Sequence, residues 1–279
     1  MSNNQSHLDC LRVKRKISHQ INRGICFLFA ILCLLSFSSE SKAGLKIYYL
    51  RHAEGGHNVV GEWKDVPKDQ WPAYVGNPNV FTPKGKTQVV TATEKLKKYH
   101  FDFIAVSPSW RSRHTILPYL KVMDVKGEIW PELNECSGGS LILSTNLPPP
   151  AGKILNAGAL IQLPSDETAY FQLREDGKKE FKLRPLQDAA AHDADLRLVL
   201  QSAIDRIRKG FGGTEKAILL VGHDNNGKDL LKMLTNDQLE DTSAIANTRI
   251  WMVEEQPNGR FRLEMFNDAP YERSGAGAP

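Results

Sequence analysis

Leu45-Lys46-Ile47-Tyr48-Tyr49-Leu50-Arg51-His52 is a run of β-type residues that ends on a guanidinium and an imidazole. Its apolar positions are nearly continuous, the pattern of a strand covered on both faces. Two further runs repeat the design. Asp102-Phe103-Ile104-Ala105-Val106 leads through Ser107-Pro108 to Arg111, and Ala217-Ile218-Leu219-Leu220-Val221-Gly222 ends on His223. Helical spacing separates them. Thr82-Pro83 reads as a cap followed by a first-turn proline, with Val89, Val90, Thr93, Leu96 and Lys97 behind it, and the helix is expected to end near Lys98-Tyr99. Leu196, Leu200, Ile204 and Ile207 mark another helix, from about Asp193 to Lys209. Strands alternating with helices predict an α/β protein, a three-layer α/β/α fold around a mostly parallel central sheet. Ligands bind such sheets outside the carboxyl ends of the strands. Three strand ends should therefore bring two imidazoles and at least two guanidiniums to one crevice, a set suited to a phosphate group.

The rest of the chain fits around this unit. Residues 55–81 form a long loop with Trp63, Trp71 and three prolines, longer than a simple connector. Residues 137–190 break the alternation and read as an insertion or cap. Within it Tyr170–Leu173 and Glu180–Leu183 flank Asp176-Gly177, which signals a hairpin. Arg249–Glu255 and Arg260–Phe266, joined at Pro257-Asn258-Gly259, read as a closing hairpin. The expected organisation is a catalytic domain over 44–270 and a flexible tail over 271–279.

The formal net charge of +4 comes from the first 43 residues, which hold six basic and two acidic side chains; thirty of each remain in the body. A neutral body gives no support for nucleic-acid binding. The leader has a basic start, an apolar run from Ile25 to Leu35 extended by Phe37, and then Ser41-Lys42-Ala43. This is the pattern of a secretory signal peptide over 1–43, so export to a periplasm or outside the cell is expected. Membrane attachment would follow only if the leader stayed uncleaved. Three of the four cysteines (Cys10, Cys26, Cys33) lie in the leader, which leaves Cys136 without an internal disulfide partner.

Arg51-His52-Ala53-Glu54, with Asn58 six residues after the histidine, resembles the opening motif of the histidine phosphatase superfamily, the phosphoglycerate mutase-like proteins. Ser107-Pro108-Ser109-Trp110-Arg111 with His114-Thr115, Gly222-His223 after an apolar strand, Phe81-Thr82-Pro83-Lys84-Gly85 and, more weakly, Leu133-Asn134-Glu135 extend the resemblance. It covers roughly 44–136 and 215–268 and is closer to the mutase-like branch. Gly222-His223-Asp224-Asn225 instead resembles the acid-phosphatase and phytase branch, so the proton donor is open between Glu135 and Asp224.

The resemblance implies an exported phosphomonoesterase that acts on a small phosphorylated substrate through a phosphohistidine on His52. Arg51 and Arg111 would grip the phosphoryl oxygens, Asn58 would donate to them, and a protonated His223 would help hold the group. This chemistry calls for no metal and no cofactor. A mutase-type phosphotransferase and a non-catalytic phospholigand-binding envelope protein are the alternatives, and product analysis separates them. Oligomeric state is not legible. His57 and His114 are read as flanking residues, and Arg113 as solvent-facing. Trp63, Trp71 and Trp110 are read as packing, and Lys178, Lys179, Lys182 and Arg184 as a solvated basic hairpin. Gly85-Lys86-Thr87 imitates the end of a P-loop, but Val80 stands where the first glycine is needed.

Overall fold

The computed structural model describes residues 44–135, 160–181, 183–184, 187–236, 239 and 243–272. The leader, Cys136, the first part of the insertion, Lys182 and the tail from 273 onward lie outside the described residues.

An eight-stranded sheet carries the chain. Its strands are β1 (Lys46–Arg51), β2 (Phe103–Val106), β3 (Gly127–Ile129), β4 (Phe171–Leu173), β5 (Ala217–Gly222), β6 (Ile250–Glu255), β7 (Phe261–Phe266) and β8 (Ala269–Pro270). The order is β4-β3-β2-β5-β1-β6-β7-β8. The first five run parallel, and β6, β7 and β8 each pair antiparallel to their neighbour. Among the described residues four helices complete the layers: α1 (Pro83–Leu96), α2 (Trp110–Met123), α3 (Ala189–Phe211) and α4 (Asp224–Thr235). Among the described residues no helix is long and apolar enough to cross a membrane.

Period-two alternation in the strands explains the two cores. Ile47 and Tyr49 of β1 join Leu200, Ile204 and Ile207 of α3 and Leu230, Leu231 and Leu234 of α4. Leu50 goes to the opposite face, with Leu96 of α1 and Ile116, Tyr119 and Leu120 of α2. Both faces are covered, as a parallel sheet requires. β5 lies between β2 and β1, so the chain reverses its direction of winding there. In open α/β sheets such a reversal marks where ligands bind, here at the carboxyl ends of β1, β2 and β5.

Helix α1 starts as the sequence dictates. Thr82 caps it by accepting the Gly85 amide at 2.9 Å, and Pro83 takes the first turn. It ends at Leu96, two residues before the expected stop. Gly85 is needed for another reason: a Cβ there would meet the Glu54 carbonyl oxygen at 2.0 Å, so only glycine lets α1 sit against the end of β1. Helix α3 begins at Ala189, four residues earlier than the apolar spacing predicts, because the Asp188 side chain accepts the Ala191 amide.

The hairpin expected around Asp176-Gly177 does not form. Phe171–Leu173 pairs in parallel with β3 as the sheet edge, and among the described residues from 180 onward no strand pairs with it. Just after β4 the Arg174 guanidinium turns inward and makes two hydrogen bonds to Glu132, at 3.0 and 2.7 Å, while stacking on Trp130. Of the basic stretch, Lys178 and Lys179 are exposed; Lys178 pairs with Glu175, and Arg184 pairs with Asp195.

Candidate active site

Each parallel strand delivers its cargo at the same end of the sheet. His52 follows β1, and its amide donates to the Gly222 carbonyl of β5 at 2.9 Å. His223 follows β5 and caps α4. Tyr49 pins it there: the phenol accepts the His223 amide at 2.7 Å and donates to its carbonyl at 2.9 Å. Gly222 makes room for that phenol, since a Cβ would meet the Tyr49 oxygen at 2.2 Å. Arg111 opens α2 just after β2. Glu135 follows the short 3-10 segment Pro131–Leu133 that leaves β3.

These four side chains converge. Arg111 Nε donates to His52 Nε2 at 3.1 Å, and another of its nitrogens donates to His223 Nδ1 at 3.0 Å. The two imidazole centroids are 5.1 Å apart. A Glu135 carboxylate oxygen lies 3.3 Å from His223 Nδ1 and 3.8 Å from Arg111. Arg51 comes from β1 and bonds the Ile245 carbonyl, with Asp224 3.8 Å away. His57 brings a third imidazole, its centroid 5.5 Å from that of His52.

The hydrogen bonds fix the tautomers. Guanidinium nitrogens can only donate. His52 Nε2 therefore accepts, and its Nδ1–H donates to the Ala53 carbonyl at 2.7 Å. His223 Nδ1 also accepts, so its Nε2–H donates to Ser107 Oγ at 2.9 Å and Ser109 Oγ at 3.2 Å. Arg111 against one nitrogen of each ring favours the neutral form of both, His223 included, where a protonated ring was expected. Burial is the first cause: His52 and His223 are almost wholly enclosed, and enclosure penalises imidazolium. Arg111 adds the next push, and both rings are held well below the usual histidine range. Burial, then Arg111 and Arg51, bring His57 down to about 4. Burial also lowers Arg111 from the ordinary arginine value.

His52, Glu135 and His223 place ligand-type atoms within 4.8 Å of one another, a spacing that could hold a cation. Arg111, however, donates to both imidazole nitrogens of that set. A positive ion would have to displace or face this guanidinium. The arrangement suits an anion, which can accept from Arg111 and Arg51 together.

The two candidate proton donors separate here. Glu135 faces His223 and Arg111. Asp224 is turned the other way, its carboxylate accepting the Ile245 amide at 2.7 Å and pairing with Arg51. Asn58 uses its amide oxygen locally, accepting the Gly55 amide at 3.0 Å to close the 3-10 segment Gly56–Trp63. Glu54 is structural, bonded by Thr82 at 2.7 Å and Lys84 at 2.7 Å. Arg113, read from sequence as solvent-facing, is buried: it donates to Glu167 at 2.6 Å and to the Pro108 carbonyl, bracing the loop that carries Arg111. His114 stacks on Trp110 and shares Glu167 with Arg113.

Sequence reading missed several supports. Ser107 and Ser109 sit inside a quoted motif, but nothing in it assigns them to His223. Thr115 accepts the Ala53 amide at 2.8 Å and donates to the Arg111 carbonyl at 2.7 Å, tying the two strand ends together. Asn247 donates to the His52 carbonyl at 2.9 Å from a loop with no sequence signal.

Residues 47–144 match the family model described as histidine phosphatase superfamily, branch 1. No curated protein sequence matches the chain. Among solved structures, mycobacterial hydrolase 1 superposes with a TM-score of 0.49 at 16% identity, over 82% of this chain and 100% of that one. The alpha-ribazole phosphatase from Shigella flexneri gives 0.48 at 16%, over 81% and 98%. A mycobacterial glucosyl-3-phosphoglycerate phosphatase gives 0.46 at 15%, over 80% and 99%. The matched segment contains Arg51, His52 and Arg111.

Proposed function

We propose that the protein is a phosphomonoesterase that transfers the phosphoryl group of a small ester to His52 and then to water. The observation that carries this reading is the Arg111 guanidinium, which bridges His52 Nε2 at 3.1 Å and His223 Nδ1 at 3.0 Å. Donors placed at this point can accept the charge of a transferring phosphoryl group.

In the free site Arg111 covers the lone pair of the nucleophile. Phosphoryl oxygens recruit that guanidinium, together with Arg51, and uncover Nε2. The Nε2 lone pair forms the N–P bond as the P–O ester bond breaks. Glu135 in its acid form gives its proton to the departing alkoxide. Its carboxylate then takes a proton from the attacking water, the N–P bond breaks, and phosphate leaves. Asp224 keeps Arg51 in place and takes no part in proton transfer. The Ala53 carbonyl holds the Nδ1 proton and stabilises positive charge on the ring as the N–P bond forms.

The test is replacement of His52 by Ala while following phosphate release from an aryl phosphate. Loss of turnover, with acid-labile phosphate trapped on His52 of the native protein after rapid quench, is the expected result. Retention of most activity in the variant refutes the nucleophile. An isomerised phosphoester in place of free phosphate would make the protein a mutase-type phosphotransferase.

Export belongs to the same proposal and rests on the leader pattern over 1–43. Cell fractionation with amino-terminal sequencing checks it: a chain beginning at Gly44 outside the cytoplasm supports it, and a full-length cytoplasmic chain overturns it.

A further inference from the structure

The imidazole of His52 is oriented by a carbonyl, and that carbonyl is itself oriented. His52 Nδ1 donates to Ala53 O at 2.7 Å. Ala53 O belongs to the peptide unit that joins Ala53 to Glu54. The N–H of the same unit, on Glu54, donates to Gln88 Oε1 at 2.8 Å. Gln88 lies on α1, half-buried, in the helix that Gly85 allows to press against this turn. The neighbouring backbone is pinned too: Thr115 accepts the Ala53 amide at 2.8 Å, and the Thr82 amide donates to Glu54 O at 3.1 Å. Gln88 acts on the peptide unit that meets the imidazole.

We propose that Gln88 is a positioning residue for the nucleophile, acting through the Ala53–Glu54 peptide. The chain runs from Gln88 Oε1 through the Glu54 N–H and the Ala53 C=O to the His52 Nδ1–H. A peptide that donates strongly at its N–H accepts more strongly at its C=O, because consecutive hydrogen bonds polarise one another. Gln88 thereby holds the proton on Nδ1, keeps Nε2 as the lone-pair nitrogen and raises its nucleophilicity. An outer partner that fixes the tautomer and the ring of a working histidine has the same logic at metal centres. This inference rests on the phosphatase reading for its kinetic arm and on geometry alone for its spectroscopic arm.

The experiment compares the native protein with Gln88→Leu, Gln88→Glu and Thr91→Ala, an exposed position further along α1 that serves as control. Leucine removes the acceptor at similar volume, and glutamate keeps an acceptor oxygen. In Gln88→Leu, kcat on an aryl phosphate should fall about tenfold with KM within twofold, and Gln88→Glu should recover most of the loss. In parallel, the nitrogen-15 spectrum of histidine-labelled protein reports the His52 Nδ1–H. Its signal should move upfield or broaden in Gln88→Leu and stay in place in Gln88→Glu and Thr91→Ala. An unmoved signal in a folded Gln88→Leu protein, or glutamate behaving as leucine does, overturns the proposal. Should the native protein hydrolyse no ester, the phosphatase reading fails while the nitrogen-15 result still decides the role of Gln88.

Discussion

Replacing Arg111 by Met removes the guanidinium and keeps much of the stem, and the geometry sets the size of the loss. Arg111 makes two hydrogen bonds in the free site, at 3.1 and 3.0 Å, both to groups that must face the phosphoryl oxygens. Hydrogen bonds to charged groups contribute about 1.5–3 kcal/mol each, so two that tighten on the transferring group amount to roughly 3–6 kcal/mol. At 1.36 kcal/mol per decade, kcat/KM should fall by about 10²–10⁴. A second readout checks the cause. Burial comes first in depressing His52 and Arg111 second, so the variant should raise the imidazole toward its ordinary value. The attacking ring must be neutral. The acid limb of kcat/KM, measured from pH 4 to 8 on an aryl phosphate, should therefore move to higher pH. A loss smaller than tenfold, or an acid limb that moves to lower pH, would refute the assignment of Arg111 to the phosphoryl group.

Glu135→Gln should cost 10²–10⁴ in kcat on an alkyl phosphate and far less on an aryl phosphate with a good leaving group, because only a poor leaving group needs the proton. Asp224→Asn should act alike on both substrates through Arg51; the reverse pattern, measured as a leaving-group series, would exchange the two roles. Stability should fall as the pH drops from 6.5 toward 4, because the unfolded chain protonates His57 there while the folded chain, with this ring at about 4, does not. The melting temperature of His57→Gln, relative to that of the native protein, should accordingly be higher at pH 5 than at pH 7.5. Arg174→Met takes both hydrogen bonds from the fully buried Glu132 carboxylate, leaving it Arg206 at 3.9 Å, and should destabilise by about 3–5 kcal/mol, lowering the melting temperature by roughly 10 °C, while the double change with Glu132→Met should restore most of it.

The parallel core was legible because hydrophobic periodicity is local. β1, β2 and β5 are short apolar runs, and their carboxyl ends carry Arg51, His52, Arg111 and His223 by chain order alone. The motif spacing then brings these residues to one place whatever the loops do. The strand at Tyr170–Leu173 was legible as β4, but its parallel pairing with β3 was not, because that partner lies more than 40 residues back in the chain, as does Glu132, the partner of Arg174. Arg113 was misread for a similar reason. Its partner Glu167 lies 54 positions away, in the insertion, where neither period nor motif gives a guide. The protonation state of His223 was also out of reach. It depends on which face of the ring meets Arg111, a matter of ångströms that spacing does not encode.

That protonation state changes how substrate selection works. A permanently charged His223 would attract any anion, phosphate product included. The neutral pair instead holds Arg111 between two acceptors, so a ligand must compete for the guanidinium before it can bind. A monoanion with a diffuse charge offers little more than the imidazoles already do. A phosphomonoester dianion offers several oxygens in the fork geometry that guanidinium prefers, and draws on Arg51 as well. In the proposed mechanism, the same exchange that binds it would uncover His52 Nε2. Binding and nucleophile activation are then one event, and the hydrogen bonds broken in the free site are replaced by stronger ones as charge spreads over the phosphoryl oxygens. Interactions that strengthen in this way lower the barrier rather than only the dissociation constant. On the proposed phosphatase reading, this is what two imidazoles buried beside an arginine at the meeting point of three strand ends would accomplish.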